Sequence, residues 1–370
     1  MRYRFGFVME QTLGQVTHTK NFQQWVARDP SIDPTWLPIS YDERRGLGAL
    51  PFIGRNWTLR ASLQARAQVR SALRNQGFDA LFFHTQVTAL FAHRIMLRVP
   101  TIVSMDATPL NFDSIGGPYA HAPSAVQSME VLKHSLTRRS FTRARCLVVW
   151  HEWGKASLLR DYGMPSEKVS VIPPGIDLER WKFPRPPQGN GRPVRLLFVG
   201  GDFTRKGGET LIAAMRQGLG ETCELDIVTS APVNTTGLAM VRVHYGLGPN
   251  SPALMDLYRR ADIFVFPTLA DALPLAIMEA MASSLPVITT DVGAVQEEIE
   301  DGVTGCVIPA NDVGALHGAT RALVNDPALR YEMGMAARGA AERLFNGSRN
   351  YPRILELMKR CADEASGTRR

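Results

Sequence analysis

The sequence predicts an α/β protein of two doubly wound parallel-sheet domains, and three observations carry that prediction. The chain has 370 residues, too many for one ordinary domain and enough for two separate cores. Each half alternates short apolar runs with helical spacers, the pattern of βαβ units. A stretch punctuated by proline and glycine, Pro184–Pro193, lies between the halves and reads as a linker.

In the first half, Tyr3–Met9, Phe78–Phe83, Thr101–Met105, Cys146–Val149 and Val169–Ile172 are apolar runs bounded by turns or polar residues. Strands buried on both faces look like this. Thr58–Gln76 is the clearest helical spacer. Arg28–Trp57 interrupts the alternation with prolines, glycines and aromatics, and is expected to be a long irregular excursion at the domain mouth, where loops carry binding specificity. In the second half Val194–Val199, Glu224–Val228, Val241–His244, Asp262–Phe266 and Pro286–Thr289 are the candidate strands. Helices are expected after Lys206, after Pro252, across Leu275–Ala282 and from Asp312 onward. The expected domains are therefore 1–183 and 194–345, joined by 184–193, with a terminal segment 346–370. In sheets of this kind ligands sit at the C-terminal ends of the strands.

Apolar residues make up 45% of the chain and charged residues 21%, ordinary values that argue against disorder. No run approaches eighteen apolar residues, and Met1–Glu10 lacks the pattern of a signal peptide, so a cytoplasmic protein is expected. The four cysteines, Cys146, Cys223, Cys306 and Cys361, are far apart and form no CxxC pair. They read as core residues or free thiols, not as a disulfide frame or zinc site. With no HExxH and no DxD triplet, no metal is expected. The lack of GxGxxG after the first strand argues against an NAD enzyme.

The net charge of +7 is uneven: residues 1–180 hold 22 Lys/Arg against 14 Asp/Glu, the remainder 20 against 21. On the predicted helix Thr58–Gln76, Arg66, Arg70 and Arg74 are four apart and share a face. Two readings stay open, a solvated surface or attraction to an anionic membrane or acceptor. No RNP, zinc-finger or helix-turn-helix signature accompanies the charge, so nucleic acid is not an expected partner.

The densest signal is Phe266–Gly293, in which Asp271 and Glu279 bracket seven residues and Glu279 falls on the predicted helix. A helix N-terminus favours anions, and the amides before it can hold hydroxyls or phosphate. A carboxylate such as Glu279 can accept two hydrogen bonds from a vicinal diol. As a bare pattern, acid-x7-acid is weak.

Its surroundings are specific. Together with Asp301-Gly-Val-Thr-Gly305, Val313–Leu316 and Asp326–Arg330, this stretch resembles the family 4 glycosyltransferases of GT-B fold, two Rossmann-like domains facing a cleft. Val171-Ile-Pro-Pro-Gly-Ile-Asp177 and Phe198-Val-Gly-Gly-Asp-Phe-Thr-Arg205-Lys206-Gly207 extend the resemblance. It covers roughly the last 220 residues well and the first 140 only loosely.

The resemblance implies a retaining, metal-independent transferase of the EC 2.4 class. It would move a sugar from a nucleoside-diphosphate donor, UDP- or GDP-linked, to a glycan, lipid-linked or small-molecule acceptor, with no further cofactor. It assigns Arg205 and Lys206, after the turn Gly200-Gly201, to the donor diphosphate, and Glu279 to the ribose. Asp271, with the amides of Ala272, Leu273, Pro274 and Leu275 as a loop, would hold the sugar and distal phosphate (Pro274 itself has no N–H to give). Gly14 and His18 resemble the family's glycine loop and following histidine on the opposite domain; taken alone the signal is weak, and His18 reads first as a buried or surface histidine. The final segment 346–370 resembles the family helix that crosses back to the first domain.

Two departures stand out. The first acid, commonly Glu in the family, is Asp271 here. At the end of Thr101–Met105, where the family often carries a histidine, this chain has Asp106, which either contacts acceptor or sugar or caps the next turn. His84 and His121 are lesser candidates. The rival readings are an epimerase or phosphorylase of the same fold, and a sugar- or nucleotide-binding relative without turnover.

Overall fold

A computed structural model describes residues 2–12, 14–40, 56–119, 127–185 and 192–367. In chain order the first elements are β1 (Tyr3–Glu10), α1 (Gln15–Val26), β2 (Ile32–Ile39), α2 (Trp57–Asn75), β3 (Ala80–His84) and β4 (Thr101–Met105). Next come α3 (Gln127–Arg143), β5 (Cys146–Val149), α4 (Glu152–Arg160), β6 (Val169–Val171), β7 (Val194–Val199) and α5 (Gly208–Ala214). Then follow β8 (Cys223–Val228), β9 (Val241–His244), α6 (Pro252–Arg260), β10 (Ile263–Phe266), α7 (Leu275–Ala282) and β11 (Val287–Thr290). The last are β12 (Gly305–Ile308), α8 (Val313–Asn325), α9 (Pro327–Leu344) and α10 (Gly347–Gly367); short single-turn helices occur between them.

The chain divides into two compact units. The first holds residues 1–112, 122–175 and 347–370; the second holds 113–121 and 176–346. Each has a six-stranded sheet, in the orders β2-β1-β3-β4-β5-β6 and β12-β11-β10-β7-β8-β9. Every pairing is parallel. The α/β doubly wound class predicted from the apolar runs is the class observed.

Two strands differ from expectation, and each forms an edge of its sheet. Within the supposedly irregular Arg28–Trp57, Ile32–Ile39 is β2, paired along its whole length with β1. Pro34 and Pro38 are four apart and so lose their N–H groups on the same side of the strand, which only an edge position tolerates. Residues 41–55 of that stretch lie outside the described residues. At the other sheet's edge, β12 directly follows the turn at Asp301–Thr304.

Helix starts follow local chemistry. Asn56 Oδ1 accepts from Leu59 N at 3.1 Å to begin α2, and Asp312 and Asp326 do the same for α8 and α9 at 2.8 and 2.9 Å. Ser251 caps α6, whose first residue is Pro252. A side chain capping an orphan N–H, with proline just inside, is the ordinary helix-start solution.

In unit 1 the strands alternate between two cores. Val8, Leu81, Phe83, Val103 and Leu147 pack with Ala61, Ala65 and Val69 of α2 and Phe141 of α3. Phe5, Phe7, Met9, Phe82 and Val148 pack with Phe22 of α1 and Tyr351, Ile354 and Met358 of α10. The last helix therefore belongs to unit 1. Phe22 and Tyr351 stack with centroids 5.0 Å apart, Lys359 pairs with Asp29 at 2.7 Å, and Arg145 with Glu364 at 2.6 Å.

Pro184–Pro193 is anchored at its start. Arg185 donates to the carbonyls of Tyr258, Arg259, Ala261 and Ser283, and burial lowers its guanidinium to about 10. Residues 186–191 are outside the described set. The four cysteines are free thiols, buried or half-buried, as expected, and Cys146 and Cys361 bring their sulfurs to 3.6 Å. Among the described residues, no helix is long and apolar enough to cross a membrane, and no group of three potential ligands gathers for a metal. Arg70 and Arg74 are exposed on α2 while Arg66 is half-buried.

Candidate functional site

In unit 2, loops from the C-terminal ends of the adjacent strands β7, β10 and β11 converge. After β7 the chain turns through Gly200-Gly201 to Arg205 and Lys206, then enters α5 at Gly207. Gly207 has φ +79°, and a Cβ there would lie 1.8 Å from the Pro267 carbonyl oxygen. Only glycine fits so close an approach with a left-handed backbone. The loop after β10 is held in turn by Leu269 N donating to Arg205 O at 2.8 Å. From the β11 end, Gly293 (φ +58°) lies so close that a Cβ would be 1.9 Å from the Asp271 carbonyl oxygen. Ala294 N donates to Ala272 O at 3.1 Å.

These contacts bring Arg205, Lys206 and Asp271 together. Arg205 is buried: its Nη1 donates to Ala270 O at 2.7 Å and its Nε to Asp202 at 3.0 Å. These bonds tie the loop after β7 to the loop after β10. The Lys206 ammonium, over the Phe266 ring at 5.1 Å, pairs with the Asp271 carboxylate. Thr268 Oγ1 donates to the same carboxylate oxygen at 3.1 Å, and Arg205 Nη1 stands 3.6 Å from it. Burial lowers the Lys206 ammonium below its usual range, with Asp271 opposing the shift. The site is thus a largely dry ion pair, where an added anion would interact more strongly than in water.

Ala272–Leu275 lead into α7, which starts at Pro274 with no side-chain cap. Glu279 sits one turn further, a single acid on an otherwise apolar, buried helix. Tyr258 OH donates to its Oε2 at 3.0 Å. Burial pushes the Glu279 carboxyl up to about 7 from 4.5, against the lowering effect of that bond. Because the folded value is the higher one, the cost of burying its charge is absent below about 4.5 and complete above about 7. Stability should therefore fall as pH rises through that window, and Glu279→Gln should be spared that fall. Melting curves of both proteins from pH 4 to 8 check this; parallel pH profiles would refute it.

Glu298 was not singled out from sequence. It is buried, neither carboxylate oxygen has a hydrogen-bond partner, and burial with the nearby Asp271 charge raises its carboxyl well above the usual range. Ionisation of this acid is therefore disfavoured beside the Asp271 charge.

Unit 1 gathers its own polar cluster at the C-terminal ends of β1, β3, β4 and β5. Gly14 is the residue preceding α1, with ordinary right-handed φ −63°. Gln15 joins two predicted residues: His84 Nε2 meets its Oε1 at 2.6 Å, and its Nε2 donates to Asp106 Oδ2 at 2.9 Å. The amide oxygen can only accept, so His84 carries a proton on Nε2, and burial, with the neighbouring His18, lowers the imidazole well below its usual range. Asp106 also takes the backbone N–H of its neighbour Ala107 at 2.9 Å, while burial and Glu10 push its carboxyl up to about 6.

His18 is fully buried among Phe22, His84, Trp150 and Tyr351, and burial lowers it to about 3. It is a neutral core imidazole in this structure. His151 caps α4, with Nδ1 accepting from Gly154 N at 2.8 Å, and burial lowers it to about 4. Gln15, Glu10 and His151 were missed in the sequence, although Gln15 adjoins Gly14 and His151 lies just past β5. His121 falls outside the described residues.

Two doubly wound parallel-sheet units, one carrying acid-x7-acid beside an Arg-Lys pair at its strand ends, define a GT-B fold. Residues 193–326 match the family described as "Glycosyl transferases group 1", and residues 31–180 match "Glycosyltransferase Family 4". Each half of the chain thus carries a match to a glycosyltransferase family, Family 4 in the first half and group 1 in the second. It is 28% identical over 202 residues to D-inositol 3-phosphate glycosyltransferase of Arthrobacter sp. (strain FB24), a match covering 49% of this chain and 48% of that one. The chain spans about half the length of the curated relatives it matches first. Sucrose-phosphate synthase from Thermosynechococcus elongatus shares the fold at TM-score 0.76 and 18% identity, over 97% of this chain and 99% of that one. HepE of Anabaena, solved with UDP and glucose, does so at 0.70 and 15%, over 97% and 100%.

Proposed function

We propose that this protein transfers a sugar from a nucleoside-diphosphate sugar to an acceptor hydroxyl, with retention at the anomeric carbon and without a metal ion. The observation that carries this reading is the buried Lys206–Asp271 pair, set by three strand-end loops in front of a helix whose start no side chain caps. In the transfer the bond between the anomeric carbon and the phosphate oxygen breaks. A bond from the acceptor oxygen to the same carbon forms on the same face, and the acceptor proton passes to the departing phosphate. The growing diphosphate charge needs a cation, which Lys206 supplies. Asp271, released from Lys206 by the phosphate, accepts hydrogen bonds from sugar hydroxyls. Glu279 serves the ribose diol in exchange for its bond to Tyr258.

A nucleotide-linked donor accords with HepE having been solved with UDP, and uridine and guanosine are the two bases to compare. An anionic or lipid-linked acceptor accords with the basic excess of residues 1–180, and would bring the protein to the surface of a membrane. A thermal-shift series with UDP, GDP, ADP and their sugars tests the donor. The cognate one at 100 times its dissociation constant stabilises by about 2.7 kcal/mol. Nucleoside diphosphate should then be released from that donor in EDTA at a rate close to that without it. No stabilisation by any nucleotide sinks the donor assignment, and complete loss in EDTA restored by Mg²⁺ sinks the metal-free mechanism.

A further inference from the structure

Cys146, the first residue of β5, and Cys361, on α10, are 215 positions apart in the chain, yet their sulfurs lie 3.6 Å from each other. Cys361 is buried among the residues of the α10 core, and Cys146 is half-buried at its margin. A disulfide needs the sulfurs at about 2.05 Å, closer than the contact they already make. The two are held opposite each other by contacts on both sides of Cys361. Lys359 pairs with Asp29, Asp363 accepts from the Tyr3 hydroxyl at 3.0 Å, and Glu364 pairs with Arg145, the residue beside Cys146. Cys361 donating toward it, followed by the Arg360 and Arg145 charges, holds the Cys146 thiol below its usual range. A thiolate is the form that reacts.

We propose that Cys146 and Cys361 are a site of reversible oxidation, forming a disulfide that fastens α10 to β5 when the protein meets a peroxide. Cys146 thiolate attacks one peroxide oxygen, forming a sulfenic acid as the O–O bond breaks and water leaves. The Cys361 sulfur then attacks the Cys146 sulfur, the S–S bond forms, and the sulfenic oxygen departs as a second water. Both thiol protons end in water, the peroxide is reduced, and the two sulfurs are oxidised. A dithiol reductant reverses the link.

The test treats the full native chain with a small excess of hydrogen peroxide at neutral pH. Free thiols should fall from four to two. Peptide mapping without reductant should join the peptides of Cys146 and Cys361, the melting temperature should rise, and dithiothreitol should restore all three readings. In Cys361→Ser, dimedone should trap sulfenic acid at Cys146, which it should label little in the wild type. Cys361→Ala, checked by circular dichroism, repeats the test if the serine variant folds poorly. The proposal is overturned if the folded wild type keeps four thiols, if the link involves Cys223 or Cys306, or if dimedone labels Cys146 equally in wild type and variants.

Discussion

Lys206→Ala is expected to lower kcat about 100- to 1000-fold while the protein stays folded. Its ammonium is largely buried and fixed against Asp271, so no large rearrangement is needed to meet a diphosphate. Charge on that diphosphate grows as the glycosidic bond breaks, and a preorganised cation therefore gains more in the transition state than with bound donor. Losing one such contact in a dry site typically costs about 3–4 kcal/mol. Folding should survive, because Asp271 keeps the Thr268 hydroxyl and the nearby Arg205 guanidinium. Glu279→Gln should differ in kind. A ribose contact is alike in ground and transition states, so its loss falls on KM, by about 10-fold or more for a charged hydrogen bond. Steady-state kinetics of both variants, alongside melting curves, make the comparison. Near-wild-type kcat/KM in folded Lys206→Ala would remove this lysine from the site.

The central strands were legible because burial on both faces leaves an unbroken apolar run, as in Ile263–Phe266 or Ala80–Phe83. The edge strands were not. β2 carries Pro34 and Pro38 and several part-exposed residues, which read as a loop until its partner β1 is known. β12 is four residues long and follows a turn. Glu279 could be found because one acid interrupts Leu275–Ala282, an otherwise apolar helix. Tyr258 and Glu298 could not, since neither breaks a local pattern and each gains meaning only from the strand-end loop or helix beside it. The same limit hid the Cys146–Cys361 pair, whose 215-residue separation no local rule spans. His18 read first as a buried or surface histidine beside the ligand role of the resemblance, and the rings of Phe22, His84, Trp150 and Tyr351 that surround it come from distant parts of the chain.

Arg338→Ala is expected to destabilise unit 2 by about 3–5 kcal/mol, the cost typical of removing a buried, multiply bonded charge. No motif marks this residue. On α9, its Nη1 donates to Ala282 O at 2.5 Å and Trp181 O at 3.3 Å, and its Nη2 to Leu178 O at 3.1 Å. Ala282 closes α7, so its carbonyl is one of those a helix end leaves without an internal partner, and a cation there also meets the negative end of the helix dipole. Alanine would strand three carbonyls, each costing about 1–3 kcal/mol if water does not replace the guanidinium. The Arg338–Glu342 pair contributes little to this sum: Glu342 is 54% exposed, and pairs of that kind are worth at most about 1 kcal/mol. Glu342→Gln is therefore the control and should leave stability nearly unchanged. Arg338→Lys should rescue only in part, because one ammonium cannot reproduce the planar fork that reaches three carbonyls at once. Urea unfolding followed by far-ultraviolet circular dichroism reads the change. If Arg338→Ala unfolds within about 0.5 kcal/mol of wild type, the three carbonyls find water in its place and the guanidinium is not what ties the 178–181 segment and the end of α7 to α9.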